Sequence, residues 1–130
     1  MNEDLNPEDV KIITLARGAR LRAYAPHRGP GEGAAVRDIE GRTYAAATVE
    51  HPDLALSTSA LQGALAAGYS SGARSFEACA VVGDPARLTH RDAALLAALA
   101  VGVPVLLTGP DGVVVGVTTV DSDGQQSTPR

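Results

Sequence analysis

The chain has 130 residues, enough for one domain and too few for a second domain to bury its own core. Its net charge is −4, its Lys and Arg residues are dispersed, and it contains no Trp and one Phe; this argues against a nucleic-acid groove and against a site that stacks bases on aromatic rings. The single cysteine, Cys79, excludes an intrachain disulfide, and no apolar run reaches the roughly 18 residues of a membrane span.

The opening MNEDLNPEDV is acidic and polar, unlike a signal peptide, so a soluble, cytoplasmic protein is expected. Asn6, Pro7, Glu8 and Asp9 read as a helix start: a capping side chain, Pro at the first helical position, and carboxylates at the positive end of the dipole. The helix is predicted to run to about Ala23, with Val10, Ile13, Leu15, Ala16 and Leu21 as its apolar positions and Arg17, Arg20 and Arg22 on a solvated face. Tyr24 to Gly33 is a Pro/Gly loop, with His27 exposed in it. A first strand covers Ala34 to Val36, Glu40-Gly41 turns the chain, and a second strand covers Thr43 to Glu50.

The stretch Thr48 to Gly68, TVEHPDLALSTSALQGALAAG, hands a strand over to a helix. Ser57, Thr58 and Ser59 can each cap the helix that follows, from about Ala60 to Tyr69. Phe76 to Val82 reads as a buried strand that holds Cys79 as a core thiol, and Thr89 caps a third helix ending near Ala100. Val103 to Leu107 and Val113 to Val120 are strands joined by Gly109-Pro110-Asp111-Gly112. Residues 121–130 are polar and are expected to form a disordered tail after a single domain over residues 1–120. The order α-β-β-α-β-α-β-β predicts a mixed sheet with helices on its faces. Ligands in such folds bind where strand ends hand over to helices.

Several segments, in this order, resemble the cytidine deaminase family. Ala23-Tyr24-Ala25-Pro26 is similar to the family's Ala-Tyr-Ala-Pro segment, and Gly33-Ala34-Ala35-Val36 to its Val-Gly-Ala-Ala-Leu strand. Gly41-Arg42-Thr43-Tyr44 through Thr48-Val49-Glu50 falls where the family has a hairpin and an Asn-x-Glu, and Pro104-Val105 through Gly112 resembles its last hairpin. The likeness covers Leu15 to Val120. It implies a three-layer α/β/α fold on a mixed five-stranded sheet, and a homodimer or homotetramer.

The residues that carry the family's chemistry differ. Zinc deaminases take one ligand from one helix start and a Cys-x-x-Cys from a second, with a Glu that shuttles protons. The family spacing puts the first ligand position at Ser59 and the catalytic Glu position at Leu61; the second helix start, Thr89 to Ala93, has no cysteine. A serine hydroxyl stays protonated near neutral pH, and leucine cannot move a proton. No metal and no catalytic residue are therefore expected, and Ser59 and Leu61 are vestigial positions.

By resemblance, Glu50 matches the carboxylate that contacts ribose, Thr48 replaces its Asn partner, and Pro30 stands where the family has a Phe beside the base. With Ser57 and Ser59 these form the expected ligand site, for a nucleoside, a nucleotide or an anion held at the two helix starts. The competing expectation is that Leu61 and its apolar neighbours close that pocket. Two other readings stay open: an active zinc-dependent nucleoside deaminase using His51 and His90 with Asp53 or Asp92, and a structural subunit that binds another protein.

Overall fold

The structure, a computed structural model, describes residues 4–128. Helix α1 spans Pro7–Arg20, strands β1 and β2 span Gly33–Asp38 and Thr43–Ala47, and a 3₁₀ turn at Leu54–Leu56 leads into α2, Ala60–Ser70. Strand β3 (Phe76–Val82), α3 (His90–Leu99), β4 (Val105–Thr108), β5 (Val114–Val120) and β6 (Gln126–Ser127) complete the chain. The strands form one sheet in the order β2-β1-β3-β4-β5-β6, in which only β3 and β4 run parallel. The three-layer α/β/α architecture is thus as expected, with six strands rather than five.

Helix α1 covers one face and α2 and α3 the other. On the first face Ile12, Ile13 and Ala16 pack on Ala35, Ala78, Ala80, Val82 and Leu106. On the second, Leu61, Leu65 and Leu96 pack on Val36, Cys79, Val81 and Val105. Strand β1, Gly-Ala-Ala-Val-Arg-Asp, lies between β2 and β3 and is buried along its whole length; its two charged residues are paired, Arg37 with Asp9 and Glu77, and Asp38 with the Arg42 amide and Tyr44. Cys79 is a core thiol in β3. Among the described residues, no helix is long and apolar enough to cross a membrane.

Four expectations are corrected. The buried stripe of α1 is Ile12, Ile13, Ala16 and Ala19, whereas Val10, Leu15 and Leu21 are exposed, Leu21 at 86%. Where the C-terminal half of α1 comes close to the sheet over Gly33, only the small residues Ala16 and Ala19 fit on the buried side, and Ile12 and Ile13 fill the wider gap toward its start. Arg17 and Arg20 are not merely solvated: their Nε atoms donate to Pro110 O and Gly31 O, both at 3.1 Å, fastening the end of α1 to two loops. Strand β2 stops at Ala47, because beyond it Val49 bridges Tyr24 and Thr58 instead of β1. Finally, residues 121–128 are not a loose tail. Asp121 Oδ1 accepts from the Asp123 and Gln125 amides at 2.8 and 3.0 Å, and the turn returns Gln126–Ser127 to pair with β5.

Candidate ligand cleft

The site lies at the end of the sheet where β1 begins and β2 and β3 finish. Three chain segments meet there: the loop before β1, the start of α2, and the link from β3 into α3. Two adjoining clefts of about 530 and about 410 Å³ share Arg28, Thr48, Ser59 and Thr89. The larger is walled by Leu54, Ala55 and Thr58, and the smaller by Pro30, Glu32 and Arg87. Thr48, Glu50, Ser57, Ser59 and Pro30 are therefore brought to one place.

Local capping chemistry positions both helix starts. Ser59 is the N-cap of α2, its Oγ accepting from Gln62 N at 3.0 Å. Thr89 is the N-cap of α3, and Asp92 returns its carboxylate to the Thr89 amide in a capping box. The two caps are joined: Ser59 Oγ donates to Asp92 Oδ1 at 2.6 Å, while Asp92 N donates to Thr89 Oγ1 at 3.0 Å. Asp92 is 2% exposed. Thr89-x-x-Asp92 has the spacing of a Cys-x-x-Cys at a helix start, which is the signal that sequence reading passed over.

Glu50 is 6% exposed, and its partners lie within the chain. The His27 amide donates to its Oε1, the Arg28 amide donates to Oε2 at 2.7 Å, and Arg28 Nε stands 3.4 Å from Oε2. Arg28 Nη2 also donates to His51 O at 2.6 Å and to Ser57 Oγ at 3.0 Å. The loop before β1 is thereby strapped over Glu50, which is a buried anchor and not a solvated strand end. Thr48 turns its Oγ1 to the Glu32 amide at 2.9 Å.

Leu61 points into the core beside Leu65 and does not fill the cleft. His51 is exposed, with Nδ1 accepting from Asp53 N at 3.0 Å. His90 instead lines a separate cleft of about 500 Å³ along α3, with Ala94, Ala97 and Ala98. The structure does not bring the two histidines together with a carboxylate. Among the described residues, no group of three or more His, Cys, Asp or Glu is placed to hold a metal ion.

One residue that sequence reading left out stands in the smaller cleft. Glu32 accepts from the Arg87 amide through Oε2 at 3.0 Å. Burial pushes its carboxyl up to about 7, with Asp92 adding to the shift and the Arg87 amide and guanidinium and Arg20 opposing it.

The sheet order, the hairpin at its start and the paired helix starts define a deaminase-type α/β fold. Residues 5–112 match the family model described as cytidine deaminase-like. The structure is similar to cytidine deaminase from Burkholderia pseudomallei, with a TM-score of 0.78, 30% identity, and coverage of 84% of this chain and 90% of that one. It is also similar to cytidine deaminase from Mycobacterium leprae, with a TM-score of 0.72 at 25% identity over 89% of this chain and 94% of that one. It shares the fold of cytidine deaminase from Mycobacterium tuberculosis, with a TM-score of 0.69 at 23% identity, covering 77% and 85%. No curated protein matches the sequence. The chain belongs to the cytidine deaminase-like family.

Proposed function

We propose that this protein binds a nucleoside or nucleotide in the cleft, holds no zinc, and does not deaminate its ligand. The observation that carries the reading is the Ser59–Asp92–Thr89 network. At the two helix starts the donors are two hydroxyls and one carboxylate, and they are already bonded to one another. Zinc sites are built from thiolate, imidazole and free carboxylate donors, so this set does not fit a resident zinc. Where the family's resemblance places a proton-transferring Glu stands Leu61, 1% exposed in the core. The network instead ties the caps of α2 and α3 together and keeps the cleft between them open.

Kinship with cytidine deaminases supports a nucleoside-type ligand, and also supports a cytoplasmic homodimer or homotetramer. Elemental mass spectrometry of purified, never-chelated protein is expected to find no stoichiometric zinc, and cytidine is expected to pass through unconverted. Nucleosides should nevertheless raise the melting temperature, because a ligand that binds only the folded state stabilises it. About one zinc per chain together with uridine production would sink the proposal.

A further inference from the structure

We propose that Glu32 reads the edge of a pyrimidine base in the cleft, with Oε1 as the reading atom; this rests on the nucleoside reading above. The carboxyl is held as a built element. The Glu32 amide donates to Thr48 Oγ1 at 2.9 Å, and its carbonyl accepts from the Thr48 amide at 3.0 Å, fixing the backbone. Oε2 is taken by the Arg87 amide at 3.0 Å. Opposite lies Gly83, where a Cβ would come within 2.8 Å of Oε2 and 2.9 Å of Cγ. The glycine leaves the room that the carboxyl occupies. Oε1 has no hydrogen-bond partner among the described residues, and Glu32 lines the cleft beside Pro30, Ser59 and Thr89.

The charged groups around it come from every neighbouring element: Arg20 on α1, Arg28 in the loop before β1, Asp84 and Arg87 after β3, and Asp92 on α3. Among the described residues none of the arginines closes to an ion pair with Glu32. Burial therefore outweighs them, and Glu32 titrates near 7, so both of its forms are populated at neutral pH.

The two forms offer opposite edges. Because Oε2 accepts from an amide, the proton of the neutral acid sits on Oε1, which then donates into the cleft. The ionised form offers only acceptors there. A cytosine ring nitrogen is an acceptor and pairs with the neutral form. A uracil ring N–H is a donor and pairs with the ionised form. Glu32 thus couples base choice to pH.

The test is calorimetric titration of the full chain with cytidine and with uridine, in wild type and Glu32→Gln. With a Glu32 titrating near 7, cytidine should bind up to about thirtyfold more weakly at about pH 8.5 than at about pH 5.5, and uridine should show the reverse. In Glu32→Gln the side-chain carbonyl keeps the Arg87 amide and the NH₂ donates into the cleft at every pH. That variant should retain tight cytidine binding at high pH and reject uridine. Binding without the opposed pH trends, or trends that survive in Glu32→Gln, would overturn the role of Glu32 and leave the nucleoside reading standing. No binding of either nucleoside at either pH would overturn that reading, and this one with it.

Discussion

Replacing Gly33 by Ala is expected to destabilise the protein by roughly 3 kcal/mol or more, at the upper end of what overpacking costs. Gly33 opens β1 directly beneath α1. A Cβ there would lie 2.0 Å from Ala16 O, 2.5 Å from Arg20 N and 2.9 Å from Arg20 Cα. All three are backbone atoms, so no rotamer change relieves the clash. The whole of α1 must lift, and it carries Ile12, Ile13 and Ala16 off the sheet with it. A matched control sits in the same helix. Gly18 has nothing within 4 Å of its added methyl, so Gly18→Ala should be neutral or stabilising by about 0.5–1 kcal/mol through helix propensity. Urea denaturation of the two variants measures both. Equal midpoints would mean that α1 does not sit this close to β1.

The second large effect is expected at Asp92. Asp92→Ala removes the acceptor of the Ser59 hydroxyl and half of the capping box of α3, leaving the Thr89 amide without its cap. With the site buried, the cost should be about 2–4 kcal/mol, combining a lost cap with unpaired donors. Asp92→Asn keeps an acceptor for Ser59 but faces the Thr89 amide with a donor, so it should fall between. Ser59→Ala should cost about 1–2 kcal/mol, since it removes the α2 cap as well as the bridge. Denaturation gives the energies, and amide exchange at Gln62 and Thr89 reports whether both helix starts fray together. An Asp92→Ala protein within about 0.5 kcal/mol of wild type would show that the joined caps contribute nothing to stability.

What could be read in the sequence was local. The starts of all three helices follow from capping residues within three positions of each other, and Asn6, Ser59 and Thr89 each cap as expected. Strand β3 follows from an apolar run with clear borders. Most misread features depend on partners far along the chain: the buried stripe of α1 is set by Gly33. The return of β6 is the exception, since it follows from a local turn in which Asp121 accepts from the Asp123 and Gln125 amides. In the site, Glu50 finds its partners at His27 and Arg28, Ser59 finds its partner at Asp92, and Glu32 finds its at Arg87. No window of ten residues contains those pairs, so the family resemblance could bring forward Glu50 and Ser59 but not what they bond to. Glu32 looks like an ordinary loop acid until Gly83, just past the end of β3, folds against it.

Cys79 gives the sheet a chemical clock. It sits fully buried in β3, opposite Val36 on one side and Val105 on the other, and burial raises its thiol to about 12. The thiolate that reacts with alkylating reagents is therefore scarce in the folded chain and becomes available only when strands β1, β3 and β4 come apart. As the sole thiol, it adds one label per molecule that has opened. The rate at which intact mass increases therefore counts openings of the sheet centre alone, while fraying of α1 or of the β6 edge goes unrecorded.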